Sequence, residues 1–242
     1  MKKNNKKIAI IGFGRFGQLF AEILLPFGEI FVVSSKKIKD ARFKQIKIEE
    51  LINIDWVIPA VPISKLEEVL RKIRSHLKPG SIVTDVCSVK EFPCRLMQNI
   101  FPKNIEIVGT HPMFGPDSAK NGLKNLQIVL CPLHQKKETL NWLKSVFSEI
   151  GLDIIETTPK NHDLQVAKSL SLVHFIGRGL EKMDIKKQEI TTLGFDRLLT
   201  VCETVSNDSW QLFYDMQKYN PYAKKVRSDL LKALDILEKE IV

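Results

Sequence analysis

The chain has 242 residues, 44% of them hydrophobic, which is enough to bury the core of one large domain or two smaller ones. Its formal charge is +9, but the lysines are scattered and carry no RNA-binding signature, which argues against nucleic acid. The ordinary interpretation is a solvated surface, and the functional alternative is steering of small anions into a cleft. No run of eighteen apolar residues is present, so we expect no membrane span. Four cysteines with neither metal spacing nor a paired framework predict no bound metal and a cytoplasmic location.

A glycine-rich loop opens the first half of the chain. A short apolar strand at residues 7–11 is followed by this loop, by a helical pattern that ends at Pro26, and by a second strand at 30–33. This order within about thirty residues is typical of a dinucleotide-binding fold, in which a helix N-terminus meets the pyrophosphate. A glycine turn without a ligand is the alternative. The loop residues expected to bind the cofactor are Gly12, Gly14, Arg15, Phe16 and Gly17.

The residues after the second strand discriminate between two cofactors. NAD-specific sites place Asp or Glu there to hold the ribose 2′-hydroxyl. This chain has Ser34, Ser35, Lys36 and Lys37 instead, and hydroxyl and ammonium groups suit a 2′-phosphate, so we expect NADP rather than NAD. An exposed lysine-rich turn is the alternative. The cofactor contacts predicted beyond the glycine loop are Ser34, Ser35, Lys36, Val61 and Pro62.

Strands and helices alternate as far as about residue 157, and only helical patterns follow. This predicts an α/β protein with an N-terminal Rossmann-type doubly wound sheet domain at 1–157 and a small all-α domain at 158–242. About eighty-five helical residues form a small core, so we expect this domain to be a dimerisation domain that packs on a second copy and gives a homodimer through the C-terminal helices.

The stretch 109–116 contains two glycines and two prolines, which predict a bent backbone directly after a strand at 105–108. His111 is therefore expected just beyond the carboxyl end of a strand, where open α/β sheets bind ligands. Ser88 follows a predicted strand at 81–86 and is expected at the same edge of the sheet. A turn whose histidine merely bonds a carbonyl group is the alternative.

Two more histidines lie in the helical half. Asn161 is expected to cap one helix that carries both His162 and His174. A buried histidine with satisfied hydrogen bonds is the ordinary interpretation of each. His174 is the better functional candidate, because Arg178, one turn further on, offers a charge for an anion.

With these motifs in hand, the chain resembles the prephenate/arogenate dehydrogenases of tyrosine biosynthesis. The likeness extends from about residue 7 to about residue 235 and rests on the stretches 12–17, 85–90, 109–116, 162–163 and 171–178. The specific part is 109–116 together with the later helical histidines. The stretch 207–214 is most similar to the plant-type arogenate dehydrogenases.

The resemblance implies an oxidative decarboxylation of a cyclohexadienyl substrate. It implies that His111 is the base that accepts the hydrogen bond of the C4 hydroxyl group, and that Ser88 holds this hydroxyl or the nicotinamide in register. It further implies that Asp208 recognises the amine of arogenate, whereas an N-cap on a helix is the alternative role for this residue. The side chains expected to bind the substrate are His174, Asp208, Arg178 and Arg197, the two arginines being candidates for its carboxylate.

Three functions therefore compete. The leading one is NADP-dependent conversion of arogenate to tyrosine, with prephenate dehydrogenation to 4-hydroxyphenylpyruvate as the alternative. A different β-hydroxyacid-type dehydrogenase would rely on a lysine such as Lys168 and leave His111 without a role. A non-catalytic NADP-binding regulator would retain the glycine loop and tolerate the loss of His111.

Overall fold

The computed structural model describes residues 6–241 and divides the chain into two compact units, one ending at Lys160 and the other starting at Asn161. This boundary lies three residues after the expected one at 157/158. Residues 1–5 and 242, which belonged to the two expected domains, lie outside the described residues. No helix of the described part combines the length and apolar character needed to cross a membrane.

The first unit, which we call the sheet unit, contains an eight-stranded sheet in the order β3-β2-β1-β4-β5-β6-β7-β8. Strands β1 to β6 run parallel, β7 is antiparallel to β6, and β8 is parallel to β7. The central strands β4 and β5 are short, apolar and fully buried, as expected for parallel strands with both faces covered. Their bounds are β1 Lys6–Ile11, β2 Gly28–Val33, β3 Lys44–Gln45, β4 Trp56–Pro59, β5 Ile82–Thr84, β6 Glu106–Pro112, β7 Gln127–His134 and β8 Asp153–Glu156.

Four helices of the sheet unit connect these strands: α1 Arg15–Leu24, α2 Ile63–Ile73, α3 Glu91–Ile100 and α4 Lys137–Glu149. Each buries an apolar stripe, as Phe20 and Leu24 of α1 do. Trp56 is fully buried at the centre, and its indole nitrogen donates a hydrogen bond to the Thr84 hydroxyl at 2.9 Å. The Rossmann-type α/β class predicted from the sequence is therefore confirmed.

The expected bend at residues 109–112 is wrong, because β6 continues through His111 as far as Pro112. The antiparallel partner β7 extends the pairing, and His111 lies opposite Val129. Glycine is required at position 109 by packing and not by a turn, because a Cβ there would overlap the sulfur of Cys94 on α3. The backbone leaves the strand only after Pro112.

The second unit, the helical unit, consists of α5 Pro159–Lys168, α6 Leu170–Lys182, α7 Leu193–Ser206, α8 Trp210–Tyr219 and α9 Ala223–Glu240. Helices α6 and α7 pack closely, because Gly177 lets the side chain of Val205 approach the α6 backbone.

In the helical unit two local expectations fail and one alternative is excluded. The single helix carrying His162 and His174 is interrupted at Ser169, whose backbone angles are not helical, and Asn161 lies inside α5 rather than at its start. Proline at the first position explains the earlier start, since it needs no amide partner there. Asp208 does not cap α8, because the Ser209 hydroxyl accepts the hydrogen bond of the Leu212 amide at 3.1 Å.

Candidate functional site

The glycine loop leaves open space at one of its three glycines. Gly12 has a φ of 94° and donates its amide to the Val33 carbonyl at 2.9 Å, and a Cβ there would overlap the Ala60 carbonyl. A Cβ at Gly17 would overlap the Gly12 carbonyl, so packing requires both glycines. A Cβ at Gly14 would meet nothing within 4 Å, although this residue directly precedes α1. The unfilled space before a helix N-terminus fits a pyrophosphate group.

The other residues of the expected cofactor site differ in their exposure and in their contacts. Val61 contacts the Gly12 position, and Pro62 is the exposed residue before α2. Phe16 is half-buried and stacks on Phe20. Arg15 is exposed and forms an ion pair with Asp117 at 2.9 Å. Of these side chains, Arg15 is the one whose charge an incoming phosphate would attract, at the expense of that exposed ion pair.

The loop after β2 is shaped by Gln45, a residue that sequence reasoning missed. Its amide nitrogen donates to the carbonyls of Ser34 and Lys36 at 2.9 and 3.0 Å, and its oxygen accepts from the Ile38 amide at 3.0 Å. The Ser34 hydroxyl accepts from the Lys36 amide at 3.1 Å. Because Gln45 holds the backbone, the side chains of Ser35 and Lys36 are left exposed to solvent. The signal available in the sequence was a polar residue, Gln45, close to the loop expected to bind the 2′-phosphate.

Ser88 and His111 lie at the carboxyl edge of the central strands. Thr84 at the end of β5 pairs with Val108 of β6, so both residues come shortly after this register pair. His111 is 5% exposed and Ser88 is 7% exposed. The Ser88 hydroxyl is buried without a hydrogen-bond partner among the described residues. A buried hydroxyl in this state is expected to bond a ligand or water.

A fully buried ion pair between Asp85 and Lys90 lies beside these two residues, and sequence reasoning missed it as well. Asp85 accepts hydrogen bonds from the Thr110 amide and the Cys87 amide, each at 3.0 Å. Lys90 also donates to the Thr110 carbonyl at 2.5 Å. The signal in the sequence was an Asp and a Lys on either side of Ser88, but their burial depends on α3, which was not predicted.

In the helical unit, three polar residues occupy one face of α6. Ser171, His174 and Arg178 follow helical spacing and are each at least 96% buried. The Ser171 hydroxyl, the Nδ1 atom of His174 and the Nε atom of Arg178 have no hydrogen-bond partner within residues 6–241. Several such atoms on one face indicate a place for a polar ligand, since native proteins rarely leave buried polar groups unbonded.

Asp208 approaches this face from the turn before α8, with a carboxylate oxygen 3.6 Å from the Nε2 atom of His174. Burial, assisted by the positive charge of Arg178, lowers the pKa of His174 to about 4. His174 is therefore neutral at pH 7, and its approach to Asp208 is not an ion pair.

The two candidate arginines differ in their surroundings. Arg178 is buried, donates to a Glu181 carboxylate oxygen at 2.6 Å and to the backbone carbonyl of Asp208, and lies 4.3 Å over the ring of Trp210. Arg197 is exposed on α7. Arg178 thus already holds the turn that carries Asp208. Among residues 6–241, no three His, Cys, Asp or Glu side chains are arranged to hold a metal ion.

The glycine loop, the sheet order and the helical unit together define a dinucleotide-binding α/β protein with an appended helical unit. A family model described as the prephenate dehydrogenase nucleotide-binding domain matches residues 33–156, and one described as a TYRAAT1-like C-terminal domain matches residues 179–242. The chain belongs to the prephenate dehydrogenase family and is an oxidoreductase of that family.

Relatives and solved structures agree with this assignment. The chain is 32% identical to arogenate dehydrogenase 2, chloroplastic, of Arabidopsis thaliana over 99% of its own length and 71% of that protein. It is 30% identical to arogenate dehydrogenase 1, chloroplastic, of the same plant over 97% of this chain, but it spans only 39% of that relative. The crystal structure of prephenate dehydrogenase from A. aeolicus in complex with hydroxyphenyl propionate and NAD+ has the same fold, with a TM-score of 0.80, 21% identity and coverage of 100% and 92% of the two chains.

Proposed function

We propose that this protein catalyses the NADP-dependent oxidative decarboxylation of arogenate to tyrosine. The observation that carries the proposal is that a buried histidine, His111, and the unpartnered hydroxyl of Ser88 both lie at one edge of a sheet whose glycine loop fits a dinucleotide. This combination supplies a base and a hydrogen-bonding group where open α/β sheets bind ligands.

His111 is proposed to accept a hydrogen bond from the C4 hydroxyl group and then to take its proton. At the same time the substrate loses a hydride from C4 and carbon dioxide from the ring. The bound nicotinamide supplies the hydride acceptor. Ser88 is proposed to keep the same hydroxyl or the nicotinamide amide in line, using the hydroxyl group that bonds no described residue. Alignment and proton acceptance suffice because loss of carbon dioxide leaves an aromatic ring.

Arogenate is proposed over prephenate because of Asp208. Its carboxylate lies beside neutral His174, so a substrate ammonium group meets a negative charge that the histidine does not neutralise. The ketoacid side chain of prephenate would bring a second negative charge instead. Arg178 and Arg197 are both proposed for substrate carboxylate binding, Arg178 through its unbonded Nε atom and Arg197 through its exposed guanidinium group.

NADP is proposed over NAD because the loop after β2 carries the hydroxyl groups of Ser34 and Ser35 and the ammonium group of Lys36 where NAD-specific sites carry an acid, with Gln45 holding the loop backbone. The glycine loop residues Gly12, Gly14, Arg15, Phe16 and Gly17, with Val61 and Pro62, are proposed to contact the rest of the dinucleotide.

A homodimer through the C-terminal helices and a cytoplasmic location are also proposed. Helix α9 exposes more than half of each of Leu231, Leu234 and Leu237, which a second copy would cover. None of the four described cysteines is in a disulfide, as a reducing compartment allows.

The test is a steady-state comparison of arogenate and prephenate, each with NADP and with NAD. The proposal expects the highest kcat/KM for arogenate with NADP. A higher kcat/KM for prephenate would favour the 4-hydroxyphenylpyruvate reaction, and tight NADP binding without turnover of either substrate would favour the non-catalytic regulator. The lysine-dependent alternative would require activity to survive His111→Asn and to be lost in Lys168→Met, although Lys168 is exposed at the end of α5.

A further inference from the structure

Lys90 is the largest fully buried charged side chain of the sheet unit's described residues, and it has no role in the proposed chemistry. Its ammonium group bonds the Asp85 carboxylate, which is also fully buried. Removing two charges from water costs several kcal/mol per ion, so a buried pair of this kind is a weak source of stability. Its placement in this fold therefore calls for another explanation.

The hydrogen bonds that this pair makes to the backbone reach residues next to Ser88 and His111. Asp85 accepts from the Cys87 amide at 3.0 Å, next to Ser88, and from the Thr110 amide at 3.0 Å, next to His111. Lys90 donates to the Thr110 carbonyl at 2.5 Å, and this carbonyl belongs to the peptide bond that joins Thr110 to His111. These bonds join the loop after β5 to strand β6.

Thr110 completes the connection with its side chain. Its hydroxyl donates to the backbone carbonyl of Asp85, and the residue is fully buried. Every polar group of Thr110 is thus directed to the Asp85–Lys90 pair. Burial lowers the pKa of Lys90, but the negative charge of Asp85, together with the neighbouring Cys94 and Cys87, more than offsets this and raises it, so the Lys90 ammonium group stays charged.

We infer that Asp85, Lys90 and Thr110 form a positioning network that fixes the Ser88 loop and the His111 strand in one register for the proposed reaction. The inference rests on the proposed function, but it concerns residues that touch neither substrate nor cofactor in that proposal. A displacement of about 1 Å between reacting groups can lower a rate by about a hundredfold, so a rigid register has catalytic value.

Thr110→Val tests the network, because it keeps the shape of the side chain and removes the hydroxyl that bonds Asp85. Thr84→Val is a matched control: Thr84 is equally buried, lies on the adjacent strand, and uses its hydroxyl to accept from Trp56 at 2.9 Å. We expect both variants to be destabilised, but only Thr110→Val to lose kcat, by roughly tenfold to a hundredfold, with the KM for NADP unchanged. Thr110→Ser is expected to restore kcat.

Lys90→Met and Asp85→Asn extend the test where they fold, with each expected to lower kcat more than Thr110→Val. Equal kcat values for wild type, Thr110→Val and Thr84→Val would overturn the inference while leaving the proposed function intact. If the wild type converts neither substrate, the proposed function fails. Amide hydrogen exchange of residues 86–90 and 110–111 then tests whether the network holds the two segments. Faster exchange there in Thr110→Val than in Thr84→Val supports the network, and equal exchange overturns it.

Discussion

The buried polar clusters of the two units differ in how far their hydrogen bonds are satisfied. In the sheet unit, Asp85, Lys90 and Thr110 bond one another and the local backbone. In the helical unit, Ser171, His174 and Arg178 each leave one buried polar atom without a partner among the described residues. An unsatisfied buried group costs about 1–3 kcal/mol, a cost that the cluster of the helical unit carries and the cluster of Asp85, Lys90 and Thr110 avoids.

This difference suggests that one cluster positions reacting groups and the other binds a ligand. The satisfied cluster has no need of a ligand and is suited to hold groups in fixed positions, as a preorganised site requires. The unsatisfied cluster gains from a polar ligand that supplies the missing hydrogen bonds. Within the sheet unit, Ser88 is the exception, because its buried hydroxyl is unbonded beside the satisfied cluster. Its hydroxyl is the group beside this cluster that is proposed to bond the substrate or the nicotinamide.

The largest expected effect is on His111, the group that the fixed cluster is proposed to position. His111→Asn removes the base and retains a hydrogen-bonding side chain, so kcat with arogenate should fall by about 10²–10⁴-fold. His76→Asn is the control, since His76 lies outside the cluster after α2. Steady-state rates at saturating NADP check this result. Similar rates for the two variants would remove His111 from the proposed mechanism.

The next effect concerns stability and follows from the pKa of His174, which is about 4 in the folded protein against an ordinary value of 6.5. As the pH falls from 6.5 to 4, the unfolded chain binds a proton here and the folded chain does not, so folding loses about 3 kcal/mol. Below pH 4 both states are protonated and this loss stops.

His174→Gln removes that titration, so its free energy of unfolding should fall less between pH 6.5 and 4 than that of the wild type, as urea unfolding at both values measures. If the wild type and His174→Gln respond equally to pH, His174 is not held neutral and the cluster is better solvated than its geometry indicates.

The sequence predicted those parts that depend on local pattern. The glycine loop, the apolar strands around it and the change to helices after residue 157 follow from spacing and composition, and the structure has them. The course of β6 through His111 was not predictable in this way, because it depends on pairing with the antiparallel strand β7. The Asp85–Lys90 pair depends on α3, whose pattern is obscured by Pro93 in its first turn. Long-range partners, rather than local propensity, decided both.

A third prediction concerns the cluster that is proposed to receive substrate. Asp208→Asn keeps the size of the side chain and removes its charge, so the preference for arogenate over prephenate, as a ratio of kcat/KM values, should fall about tenfold to a hundredfold. Asp196→Asn, an exposed acid at the start of α7, is the control for the change in net charge. An unaltered preference would assign the choice of substrate to another residue.

The smallest effect is expected at the exposed rim of the sheet unit, where the loop after β2 is held by Gln45 but its lysines remain in solvent. Lys36→Asp places a negative charge where the 2′-phosphate of NADP is proposed to bind, so the KM for NADP should rise about tenfold while that for NAD changes little.

Lys39→Asp makes the same change in net charge three residues further along the chain, so it separates a specific contact from general attraction. Because an exposed ion pair is screened by salt, the difference between the two variants should shrink at high ionic strength. Equal losses for NADP and NAD in Lys36→Asp would show that this loop does not read the 2′-phosphate, and the choice of cofactor would then lie within the glycine loop itself.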